Sequence, residues 1–141
     1  MTRFFLLLLA CGLLMGSAHA ADRIWAGLFL GENRPAGPQA PPVLTERLRQ
    51  VFGFNNYKLL RGDNIDLRNN WPHWVVARKD FFLRVDSLPH PYGAPAAIGY
   101  QIFKDGFLVA RGRYVPEPDT PLFINGPDFG RGRLIFVIET R

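Results

Sequence analysis

Proline and glycine divide this chain into short pieces, and their spacing limits what it can fold into more than any other feature. Pro35, Pro38, Pro41 and Pro42, then Pro89, Pro91 and Pro95, then Pro116, Pro118 and Pro121 mark three connections. Gly126, Pro127, Gly130 and Gly132 mark a fourth. Proline removes a backbone donor and fixes φ, while glycine frees φ, so neither suits the interior of a long helix. What remains between the breaks is one stretch with helical period and a series of apolar runs of strand length.

The helical stretch opens at Pro41 and Pro42. Leu44, Leu48, Val51 and Phe52 fall at i, i+4, i+7 and i+8 and share a face, while Arg47, Arg49 and Gln50 point elsewhere. Gly53 follows the last apolar residue and suits the left-handed position that ends a helix.

The remaining runs read as strands. Residues 24–30 are apolar throughout, as expected of a strand buried on both faces. Beyond Gly53, residues 57–60 read as a short strand, Gly62, Asp63 and Asn64 as a turn, and residues 65–67 as a continuation. After Trp71 and Pro72 the pattern resumes at 74–77. A polar turn at 78–80 leads into 81–86, where Phe81, Leu83 and Val85 share one face and Arg84 and Asp86 the other. Asp105 and Gly106 separate two strand-like runs, 98–104 and 107–114. That pair favours a two-residue hairpin turn needing positive φ at both central positions, with Ile102 opposite Val109 and Phe103 opposite Leu108. Residues 122–124 form a short strand, and 134–138, without a polar residue, form a central or doubly covered one. The expected fold is α+β, one amphipathic helix packed on an antiparallel or mixed β-sheet of short strands. A β-sandwich with a single helix is the alternative.

The first twenty residues concern location. Arg3, an apolar core at 4–15, and Ala18-His19-Ala20 have the order of a cleavable secretory signal peptide, with cleavage before Ala21. The apolar core is too short to span a membrane permanently. Lipidation at Cys11, after Leu8-Leu9-Ala10, is the minor alternative and would anchor the chain. Residues 21–141 then form a single β-rich domain, periplasmic or extracellular, of 121 of the 141 residues. Cys11 is the lone cysteine and leaves with the leader, so the domain must hold together without a disulfide.

Basic residues outnumber acidic ones modestly, 17 to 12 over the whole chain, and are dispersed as pairs. Dispersal and export both argue against nucleic acid and for an envelope protein, an anionic polymer or lipid headgroups as partners. His73 and His90 lack the close spacing of zinc ligands, although Asp86 could complete a set with them. Ser87 lacks a nucleophile-elbow context. Asp63 with Asp66, or Asp80 with Asp86, are the carboxylate pairs a small secreted hydrolase would need. All four sit where aspartate is favoured for turns or surface. The sequence calls for no catalytic residue, metal or cofactor.

Two groups of residues stand out as binding candidates. Trp71 and Trp74 lie in a proline-broken segment and have the large amphipathic faces that anchor interfaces or stack on sugars. Arg111 and Arg113, and Arg131 and Arg133 in the glycine-rich 125–133 segment, could pair an anion. The function expected is that of a non-enzymatic binding or accessory domain of the cell envelope acting through protein–protein contact. A binder of anionic or carbohydrate polymer is the second reading.

Overall fold

The computed structural model describes residues 23–35, 42–69, 72–78, 80–88 and 97–141, with side chains from 76 to 78 not described. Residues 1–20 with Cys11, Trp71 and His90 therefore lie outside the described residues. The elements are β1 (Arg23–Glu32), α1 (Pro42–Phe52), β2 (Asn56–Asp66), β3 (His73–Arg78), β4 (Phe81–Leu88), β5 (Ala97–Lys104), β6 (Phe107–Tyr114), β7 (Leu122–Phe129) and β8 (Gly132–Thr140). Among the described residues no helix is long and apolar enough to cross a membrane.

The chain is β-rich with a single helix, and its strands form two antiparallel sheets, where the leading expectation was one sheet and the β-sandwich alternative two. One runs in the order β2-β1-β8-β7 and the other in the order β3-β4-β5-β6. Every neighbouring pair of strands in these sheets is successive in sequence except β1 and β8, the first and last strands, which pair antiparallel. Pairing of strands successive in sequence is the usual arrangement in such sheets.

Alternation decides what each strand buries. Ile24, Ala26, Leu28 and Leu30 of β1 and Leu134, Phe136 and Ile138 of β8 enter one buried cluster with Leu83 and Val85 of β4 and Ile98 and Ile102 of β5. Phe81 and Phe136 stack across it, ring centroids 5.3 Å apart. The opposite faces of β1 and β8 present Trp25, Phe29, Ile135 and Val137, which share a second cluster with Leu44 and Leu48 of α1 and Tyr57 of β2. Two-sided burial is why β1 and β8 carry apolar residues without alternation.

Within α1, Leu44, Thr45 and Leu48 are buried, whereas Val51 is 59% exposed. The buried arc centres on Leu48, so Val51 falls at its margin, contrary to its assignment to the apolar face. Gly53 has φ 79°, and its N–H donates to the Arg49 carbonyl at 2.9 Å, the left-handed cap its position suggests. Tyr57 ties the helix end to β2: its hydroxyl donates to the Leu48 carbonyl at 2.9 Å and accepts from the Phe54 N–H at 3.1 Å.

Gly62 does not turn the chain. β2 is continuous from Asn56 to Asp66, and Gly62 lies opposite Gly27 of β1. The Trp25 indole lies over both glycines, where a Cβ on either would intrude into the ring. The glycine serves a close ring contact. Similarly, the 125–132 segment is largely strand: β7 continues to Phe129 through an irregularity between Asn125 and Asp128 that takes up Pro127, and the turn is confined to Gly130 and Arg131.

Candidate functional site

The outer face of the β3–β6 sheet is where candidate binding residues converge. On β4, the buried Phe81, Leu83 and Val85 alternate with Phe82, Arg84 and Asp86, which are only partly covered. Register extends that outer face sideways. Trp74 lies opposite Arg84, Arg84 opposite Gln101, and Phe82 opposite Phe103.

A β-bulge decides the contribution of β6. Asp105 and Gly106 have φ 51° and 81°, as the two-residue turn requires. Phe103 pairs with Leu108 as expected, but Ile102 pairs with Ala110, not Val109, because one extra residue is inserted there. Strand side chains alternate, so a one-residue slip exchanges faces. With the bulge, Ala110 and Tyr114 join the core, and Arg111 lies opposite Gln101 and Arg113 opposite Gly99 on the outer face. Without it, both arginines would face inward.

The face has an aromatic end and a cationic end. Trp74, 47% exposed, meets Phe82 edge-on at 5.3 Å between centroids and Phe103 at 6.1 Å. Phe82 and Phe103 stack at 5.2 Å. The Arg84 guanidinium sits 5.5 Å from the Trp74 ring centroid and pairs with Asp86 at 3.0 Å. These contacts hold the indole in one orientation while leaving much of it in water. Arg111 and Arg113 are exposed, and among the described residues neither forms an ion pair. Phe82, Arg84 and Phe103 were not singled out from sequence. The signal for Phe82 was its place in the charged register of β4, where an aromatic ring points away from the core.

The other candidates separate. Arg133 is held by Asp128 at 3.1 Å, and Arg131 lies in the turn before β8, so the two do not present one face of a strand. His73 lies opposite buried Val85, on the opposite side of the sheet from Asp86. Asp80 precedes β4 and Asp86 lies near its end, about 20 Å along a strand at ~3.3 Å per residue, too far for the roughly 5–9.5 Å between glycosidase carboxylates. Asp63 and Asp66 project from opposite faces of β2 and are taken by Arg61 at 3.2 Å and Arg68 at 2.6 Å. The hydrogen bonds from Arg68 hold the Asp66 carboxyl well below the usual carboxylate range.

A groove of about 610 Å³ lies between α1, Leu59 of β2 and the 118–121 segment, with Trp25, Phe29 and Leu44 among its lining. Its cations are already engaged. Arg47 donates to the Asp119 carbonyl at 2.8 Å, and Arg141 stacks over Trp25 at 4.9 Å and pairs with Glu139 at 3.2 Å. No family model, curated protein or solved structure matches the chain.

Proposed function

We propose that this chain is an exported, non-enzymatic binding domain of the cell envelope, acting through protein–protein contact on the outer face of the β3–β6 sheet. The observation that carries it is Trp74: a large aromatic side chain held by Phe82, Phe103 and Arg84 and nearly half exposed. Aromatic residues and arginine dominate the energetics of protein interfaces, and an ordered indole loses little conformational freedom on docking. In this reading α1 covers the outer side of the other sheet, and the β3–β6 sheet keeps its own side for a partner.

The domain from Ala21 onwards, immobilised and exposed to envelope extract, should retain a specific protein through a high-salt wash, and Trp74→Ala should release it. Capture of the same protein by Trp74→Ala would end the proposal. Arg111 and Arg113 beside the aromatic end support binding of an anionic or carbohydrate polymer as the second reading. Such a ligand would be driven by charge and would elute as salt rises.

A further inference from the structure

We propose that the end of the molecule formed by the β5–β6 and β7–β8 hairpins docks on an anionic lipid surface, with Phe107, Leu108 and Val109 entering the interface. These three consecutive residues are 74%, 46% and 53% exposed. Phe107 lies opposite Lys104 and Leu108 opposite Phe103, so these two neighbours point to opposite sides of the hairpin, with the bulge following at Val109; no flat partner laid on one face of the hairpin covers all three. A medium that surrounds the tip does, and the apolar boundary of a bilayer is such a medium. Phe129, at the tip of the neighbouring hairpin, is exposed as well. The two hairpins adjoin, since Lys104 and Val109 line a single small cavity with Asn125 and Pro127.

Charge selects the kind of surface. Lys104 and Arg131 flank the two tips and Arg111 and Arg113 continue along β6, all four exposed and in no ion pair among the described residues. Asp80, Asp105 and Asp128 are acids at this end: the Asp105 N–H donates to the Asp80 carbonyl at 2.7 Å, and Asp128 is paired with Arg133 at 3.1 Å. Lys104 and Arg131 offset Asp80 and Asp105 at the tips, and Arg111 and Arg113 further along β6 supply the positive excess; each basic group near an anionic leaflet strengthens binding.

The test is flotation of the chain from Ala21, which keeps every described element, with vesicles of phosphatidylcholine alone or containing about one third phosphatidylglycerol. The wild type should float with the anionic vesicles and far less with the neutral ones. Phe107→Asp combined with Leu108→Asp should cut the bound fraction about tenfold or more, without changing the melting temperature. Trp74→Ala should float like the wild type, which separates this surface from the proposed protein-binding face. Absence of flotation by the wild type, equal flotation by the tip variant, or a dimer abolished by the tip substitutions in place of lipid binding would each overturn the proposal.

Discussion

Gly27 is where one added carbon should do most harm. Trp25 lies two residues earlier on the same strand, and its indole folds over Gly27 and over Gly62 across the pair. A Cβ on Gly27 would sit 2.7 Å from Cζ3 and 2.8 Å from Cζ2 of the ring, and closer still to Cη2, whereas ordinary contact begins at 3.4 Å. The ring cannot simply rise, because the Arg141 guanidinium lies over it at 4.9 Å and Phe29 meets it edge-on at 6.0 Å. If the surroundings yield, the strain is that of an overpacked core, about 1–3 kcal/mol. If the indole is expelled, roughly 150–250 Å² of buried area is lost, about 4–6 kcal/mol at ~25 cal/mol per Å². Replacing glycine with alanine returns at most about 1 kcal/mol through the unfolded chain. Gly27→Ala should therefore destabilise by up to about 3 kcal/mol if the ring stays and by about 3–6 kcal/mol if it leaves, read by urea unfolding followed by circular dichroism, with tryptophan emission shifted to the red. Gly62→Ala acts on the same ring, so the double variant should cost less than the sum. A Gly27→Ala protein within about 0.5 kcal/mol of wild type, with unshifted emission, would refute the account of these two glycines.

Deleting Val109 removes the bulge and forces Arg111 and Arg113 toward the core, so the far-ultraviolet spectrum should show a protein that is unfolded or destabilised by several kcal/mol. Tyr57→Phe deletes the hydroxyl joining Leu48 and Phe54 and should cost about 1–2 kcal/mol in urea unfolding at neutral pH. Burial raises the Tyr57 pKa; its contribution is complete below the free phenol value near pH ~10 and is lost as pH rises through the folded value, so Tyr57→Phe should lack that alkaline loss. Asp66 has the opposite sign, its folded pKa being lowered by Arg68. Its contribution is complete above about pH 4 and is lost as pH falls through the folded value, so the gap in melting temperature between wild type and Asp66→Asn should narrow in acid.

Local chemistry was readable where one residue type has one structural use. Asp105-Gly106 demands positive φ twice, and Gly53 ends a helix. Two-sided burial of β1 and β8 followed from runs without a polar residue. What escaped depends on a neighbour in space. Gly62 reads as a turn until Trp25 is seen lying over it, and Val51 reads as core until the centre of the buried arc is known. The bulge at Val109 answers a conflict within β6. The turn alone would send Arg111 and Arg113 inward, and only the core on the other side of the sheet, taking Ala110 and Tyr114, shows that an extra residue must intervene. Trp74 and the two arginines of β6 were legible as candidates, but their shared face was not, because it rests on that bulge and on the β4–β5 register. Phe103 gave no signal, since both faces of its hairpin carry apolar residues near the turn.

The central claim is that the Trp74 face is a contact surface. Hydroxyl-radical footprinting of the purified protein, and of the same protein in the cell envelope where the proposed function places it, compares that face directly in the two settings. Trp74 should be oxidised readily in isolation and protected in the envelope, together with Phe82 and Phe103, while Val43 and Val51 on α1 stay equally reactive in both. Trp74 labelled to the same extent in both settings would contradict the claim.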